Sequence, residues 1–155
     1  MVLSENLNPL SILVNSESKT RWDIIKEMVA HAVTHSLIPV GTEDEITQAL
    51  IEREKSMSTG IGKGVAIPHC TITNVDEIVV MMATNGKVIN FDAIDSLPVK
   101  IVIMLLVPKA KLTQHIKTLA NIAKVMSDDA FKEKLLSFAS ADEILDFIRT
   151  YEKAK

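Results

Sequence analysis

Three residues in the middle of this chain have the types and spacing to do chemistry together: Arg53, His69 and His115. His69 directly follows Pro68 and the short apolar stretch Val65-Ala66-Ile67. Histidine changes charge nearest to neutral pH, so a neutral, nucleophilic imidazole is available without unusual surroundings. Proline fixes the backbone and has no N–H for a ladder, so the stretch reads as a buried strand halted at Pro68. His69 then stands at a strand's carboxyl end, where α/β proteins tend to place their chemistry. Arg53 lies near the end of the preceding helix, and a guanidinium is suited to clamping a phosphoryl group through parallel, charge-assisted hydrogen bonds. Taken singly, His69 reads as a core or surface histidine, and Arg53, flanked by Glu52 and Glu54, as a solvated helix residue.

His115 falls in the first turn of the helix that follows a long apolar strand. If that strand runs parallel to the one ending at Pro68, the two imidazoles meet at one end of the sheet. Ser58-Thr59-Gly60-Ile61-Gly62-Lys63-Gly64 lies between Arg53 and His69. It is not a Walker loop, because Lys63 is followed by Gly64 and the glycine spacing is wrong. It is not a dinucleotide fingerprint either, because it follows a helix and opens a strand rather than the reverse. Backbone N–H groups at Thr59, Gly60 and Gly62, with the Thr59 hydroxyl, remain candidates for holding an anion. His31 and His35 have the spacing of a zinc-protease helix, but Ala32 stands where the catalytic Glu is needed and no third ligand is evident. They read as polar-face histidines, and no metal site is expected.

The elements that must position these groups follow from periodicity and caps. Residues 1–17 read as an irregular or short-stranded lead-in. Ser18 reads as the cap of a helix to His35, with Trp22, Ile25, Met28, Val29, Ala32 and Val33 on one face. Thr42 with Glu45 reads as a capping box for a helix ending near Lys55. Strands are expected over 77–84, before an Asn85-Gly86 turn, and over 99–107, apolar on both faces apart from Lys100 and so central. Three helices follow, over 113–126, after Ser127, and after Ser140 with Glu143 completing a capping box. Helices, then strands, then helices make a sheet covered by helices.

Composition bounds the possibilities. The chain has 155 residues, 47% hydrophobic and 24% charged, with net charge -3, which suits a single globular domain with its own core. A general nucleic-acid binder would show a basic face, and no Lys/Arg block occurs here. The single cysteine, Cys70, permits no intramolecular disulfide and points to a reducing compartment. The start of the chain lacks the pattern of a signal peptide. The longest apolar run, Ile101–Val107, is far short of the roughly 20 residues that span a bilayer. A cytoplasmic location with no direct membrane insertion is expected.

The string Arg53-Glu54-Lys55 through Ser58-Thr59-Gly60-Ile61-Gly62-Lys63-Gly64-Val65-Ala66-Ile67-Pro68-His69 closely resembles the signature of phosphotransferase-system enzyme IIA domains of the mannitol/fructose type. Ile89-Asn90-Phe91-Asp92-Ala93-Ile94-Asp95, Pro98-Val99, Val107-Pro108 and His115 resemble the same family's second half. The likeness runs from about residue 8 to residue 150. It implies a three-layer α/β/α sandwich with a mixed sheet. It implies that His69 takes a phosphoryl group from HPr or a nitrogen-type relative and passes it to an enzyme IIB, with Arg53 and His115 lining the site and no metal or nucleotide used. The Ser58–Gly62 wording is nearest to nitrogen-regulatory IIA proteins, in which phosphorylation switches the choice of regulatory target protein. The chain also shows no fused IIB, permease or phosphocarrier region. The other readings are a transport subunit for a fructose- or mannitol-like permease and a partner-binding module that is not phosphorylated. Two positions depart from the family pattern: Cys70 and Ser96 stand where glycine is common.

Overall fold

The computed structural model describes residues 3–73 and 75–154, the side chain of residue 114 excepted. The first two residues of the expected lead-in lie outside the described residues; the rest of it forms two short 3-10 turns, Leu3–Asn6 and Pro9–Ser11, and a strand.

The centre of the sheet is β6, Val99–Pro108, buried at every position except Lys100. Such a strand needs partners along both edges and cover on both faces. On one edge lies β5, Val79–Ile89, antiparallel, with Val79 opposite Leu106 and Ile89 opposite Val99. On the other edge two short strands share the length of β6, both parallel to it. Val65–Ala66 (β3) pairs with Ile101–Val102, and His69–Ile72 (β4) pairs with Leu105–Pro108. Outermost are β1, Ile12–Ser16, parallel to β5, and β2, Gly60–Gly62, antiparallel to β3. The result is a mixed six-stranded sheet.

Helices α1 (Arg21–Thr34) and α2 (Glu43–Ser56) cover one face. Their Ile24, Ile25, Met28, Ile46 and Leu50 pack on Met81, Met104 and Leu106. Helices α3 (Leu112–Val125), α4 (Asp129–Leu136) and α5 (Ala141–Lys153) cover the other, with Ile122, Phe131, Leu135 and Ile144 over Met82, Ile103 and Leu105. Each fully buried aliphatic side chain contributes about 1.5–3 kcal/mol. This is the three-layer α/β/α sandwich expected from the sequence.

Local chemistry shifts several boundaries. Helix α1 is capped by Thr20, whose hydroxyl accepts from the Asp23 N–H at 3.0 Å, while Ser18 donates to Glu27 instead. Helix α2 does begin after Thr42, but the Thr42 hydroxyl donates to the Pro39 carbonyl at 2.6 Å, so the capping box with Glu45 is not made. Ser140 does cap α5, accepting from the Glu143 N–H at 3.2 Å and donating to its carboxylate at 3.0 Å. Asn85-Gly86 is not a turn. Strand β5 runs through it with an irregular register between Thr84 and Ile89. The buried Asn85 carboxamide donates to the carbonyls of Ser18 and Lys87 there, replacing missing ladder bonds.

Candidate active site

The site is built on a strand with a break in it. Pro68 has no N–H, so the ladder to β6 lapses at Ile67 and Pro68. The Pro68 carbonyl still accepts from Leu105 N–H at 2.9 Å, and the chain re-enters the ladder as β4 without gaining or losing a residue. His69 is therefore the first residue of β4 and not the carboxyl end of the strand before it; the sheet continues three residues further to Ile72. This corrects the expectation that Pro68 halts the strand.

The backbone fixes the imidazole. On the edge away from β6, where the Ile67 N–H bonds to the Thr59 carbonyl, the Ile67 carbonyl oxygen lies 2.8 Å from Nδ1 of His69. A carbonyl can only accept, so Nδ1 carries a proton, and in the neutral ring Nε2 is then the nitrogen with the lone pair. Among the described residues no side chain or backbone group is hydrogen-bonded to Nε2 of His69. His69 is half-buried and lines a cleft of about 480 Å³ along the outer edge of β4, together with Ala49, Glu52, Arg53, Cys70 and Thr71. Arg53 thus shares a cleft with His69. One of its guanidinium nitrogens donates to the Met57 carbonyl at 2.7 Å, at the end of its own helix, which sets its direction and leaves other N–H groups free to bind an anion.

Both β3 and β4 run parallel to β6, which satisfies the condition for bringing His115 and His69 to one side. His69 pairs with Leu105 and Thr71 with Val107, both of which face α3 to α5. His115 is the fourth residue of α3 on that same face, and its Nδ1 is 3.3 Å from the hydroxyl of buried Thr118. His115 is not in the wall of the Arg53 cleft; it lies toward Glu77. The Glu77 carboxyl is held below the usual carboxylate range by its hydrogen bond to Lys111, by the Lys111 charge and by that of His115.

Thr59, Gly60 and Gly62 are placed differently from the expectation. Their segment is a β-hairpin rather than an open loop. Both the N–H and the hydroxyl of Thr59 go to the Glu54 carboxylate, and the Gly60 N–H goes to Ser58 Oγ at 3.1 Å. Gly62 sits at the far tip, with φ +96°, against Asp95. These residues shape the segment leading to His69, because their donors are already engaged or remote. The tip is fastened by Asp95, which accepts from the Lys63 and Leu97 N–H groups at 2.8 and 3.1 Å. Those two bonds, then its own N–H and the Lys132 charge, hold the Asp95 carboxyl below its ordinary range.

Sequence reasoning missed Glu54, naming it only as a neighbour that flanks Arg53. It is 1% exposed and ion-paired with Arg21 at 3.3 Å. Its position continues the buried stripe Ile46, Leu50, which was the available signal. Cys70 points into the core beneath α2, and burial pushes its thiol up to about 12, so it is inert. Nε2–H of His31 donates to the Leu10 carbonyl at 2.7 Å, and its ring lies against that of His35, tilted, with centroids 4.2 Å apart.

A mixed sheet sandwiched by helices, with His69 and Arg53 lining one cleft, is the architecture of the chain. The chain matches the family of the phosphoenolpyruvate-dependent sugar phosphotransferase system, EIIA 2, over residues 5–151, and belongs to it. It is 30% identical over 146 residues to a nitrogen regulatory protein of Pseudomonas aeruginosa, covering 94% of each. It is 27% identical over 153 residues to the fructose-specific EIIABC component of Bacillus subtilis, but spans only 24% of that longer protein. The crystal structure of the nitrogen regulatory protein IIA-Ntr from Neisseria meningitidis superposes with a TM-score of 0.85 at 27% identity, covering 96% of this chain and 99% of that one. Among the described residues no helix is long and apolar enough to cross a membrane.

Proposed function

We propose that the chain is a cytoplasmic phosphoryl carrier in which Nε2 of His69 accepts a phosphoryl group from a phosphohistidine of HPr or of a nitrogen-type relative. The single observation that carries this reading is the fixed imidazole of a residue lining the Arg53 cleft, with Nδ1–H on the Ile67 carbonyl and Nε2 without a hydrogen bond among the described residues.

The Nε2 lone pair attacks phosphorus in line with the donor's P–N bond. That bond breaks and its electron pair returns to the donor imidazole. The phosphoryl group ends on Nε2, and the proton on Nδ1 stays where it was. The transition state is loose, with charge spread over the phosphoryl oxygens, so the protein contributes mainly position and electrostatic stabilisation. Arg53 neutralises that charge. With Nδ1 of His115 engaged by the Thr118 hydroxyl, its Nε2 is the ring nitrogen left to meet a phosphoryl oxygen. Transfer onward to an enzyme IIB reverses the step.

The end-to-end match to nitrogen regulatory proteins favours a switch, in which phosphorylation at His69 changes the protein's regulatory partners. The match of nearly the whole chain to part of a fructose component favours the second reading, a transport subunit. Phosphorylation by each donor pair, followed by challenge with a IIB domain, separates the two. Rapid loading by the nitrogen-type pair with no discharge to IIB is the result expected of a switch. Prompt discharge to IIB would establish the transport role.

A further inference from the structure

We propose that Glu54 is a positioning residue for His69. This inference rests on the carrier reading above and adds the group that aims the acceptor.

The Glu54 carboxylate is 1% exposed at the last turn of α2. It accepts the Thr59 N–H at 2.9 Å and the Thr59 hydroxyl, and pairs with Arg21 at 3.3 Å. Arg21 is itself anchored to the Phe91 carbonyl and to Asp92, both at 3.2 Å. The carbonyl of Thr59 accepts the Ile67 N–H at 2.9 Å, and the carbonyl of Ile67 accepts Nδ1–H of His69 at 2.8 Å. A chain of hydrogen bonds therefore runs from a buried carboxylate, through the residues Thr59 and Ile67, to the ring nitrogen opposite the reacting one.

This chain of bonds crosses the strand where Pro68 has interrupted the ladder to β6. There the Thr59 carbonyl, itself fastened to Glu54, is what holds the Ile67 N–H. Without Glu54 the Ile67 peptide loses its anchor and can turn its carbonyl away from Nδ1. Glu54 also directly follows Arg53, so one helical turn sends a guanidinium into the cleft and a carboxylate into the core. Glu54 thereby fastens the turn bearing Arg53 to the strand bearing His69. Misplacement of a reacting group by about 1 Å can cost a hundredfold in rate, so this fastening has kinetic weight.

The test reads the ring directly. The ¹⁵N shifts of the His69 imidazole in the unphosphorylated protein report which nitrogen bears the proton. Wild type should show protonation at Nδ1. Glu54→Ala should move the neutral ring toward the Nε2–H tautomer that a free histidine side chain prefers, and slow phosphoryl acceptance by about tenfold to a hundredfold. Glu54→Gln, whose amide oxygen can still accept from Thr59, should restore both. Ile144→Ala, in the opposite core layer, controls for simple loss of stability and should leave the tautomer unchanged. If Glu54→Ala does not fold, Glu54→Asp withdraws the carboxylate from Thr59 and is read the same way. A wild-type tautomer and rate in the folded Ala or Asp variant would overturn the proposal. The tautomer readout needs no phosphoryl transfer, so it stands even if His69 fails as the acceptor, and failure of either idea is seen separately.

Discussion

Nδ1 of His69 donates to the carbonyl of Ile67, two residues earlier on the same chain, across 2.8 Å. The Ile67 carbonyl is available for it because residue 67 faces the edge away from β6, where its N–H bonds to the Thr59 carbonyl. The bond to Nδ1 leaves only Nε2 free to attack. Phosphorylated protein should therefore carry its phosphoryl group on Nε2, read from ³¹P–¹⁵N coupling in ¹⁵N-histidine-labelled material. Coupling to Nδ1 would mean that the bond to Ile67 breaks during transfer.

The two halves of the sequence signature meet at Gly60. A Cβ there would lie 2.8 Å from Ala93 Cβ and 3.0 Å from its Cα. Gly60→Ala should push the 91–95 segment away and destabilise the protein by about 1–3 kcal/mol in urea unfolding. Gly86→Ala, whose nearest neighbour would be the Ser16 carbonyl at 3.9 Å, should stay within about 0.5 kcal/mol of wild type.

Ser96 holds φ at +62°, in the left-handed region that glycine enters freely, and its N–H closes a turn onto the Ala93 carbonyl at 2.9 Å. This explains why glycine is common at this position. The conformation costs a side-chain-bearing residue about 1–2 kcal/mol. Glycine recovers that but loses about 0.4–1 kcal/mol through the entropy of the unfolded chain. Ser96→Gly should raise stability by up to about 1 kcal/mol, with an increase in urea midpoint; a decrease would show that the serine side chain makes a compensating interaction.

Asp95 gives the acid limb of stability a definite sign. Its carboxyl is lowered in the folded state, first by the Lys63 and Leu97 N–H groups. Its contribution is therefore complete above the unfolded value of about 4 and drains away as pH falls toward the folded value. The stability difference between wild type and Asp95→Asn should shrink between about pH 6 and about pH 3. Urea titrations across that range check it, and a gap that stays constant would contradict it.

The layers and the central position of Val99–Pro108 were legible in the sequence, and the sequence put His69, Arg53 and His115 forward as the candidate site. Unbroken apolar runs and charged groups beside permissive glycines carry their meaning locally. What was not legible depends on partners distant in sequence. Asn85-Gly86 has the composition of a turn, but the need of β5 to reach Val99 carries the strand through it. The Thr59 hydroxyl looked free for an anion until α2 brought Glu54 beneath it. Pro68 correctly marked a break, but the resumption of pairing at His69 is set by β6.

The account depends most on His69 as the acceptor. The direct measurement is intact mass after incubation with phosphoenolpyruvate, enzyme I and HPr, or the nitrogen-type donor pair, for wild type, His69→Ala and His115→Ala. Wild type should gain one acid-labile phosphoryl group, His115→Ala should gain it more slowly, and His69→Ala should gain none. A phosphoryl group retained in folded His69→Ala would move the acceptor elsewhere and contradict the account.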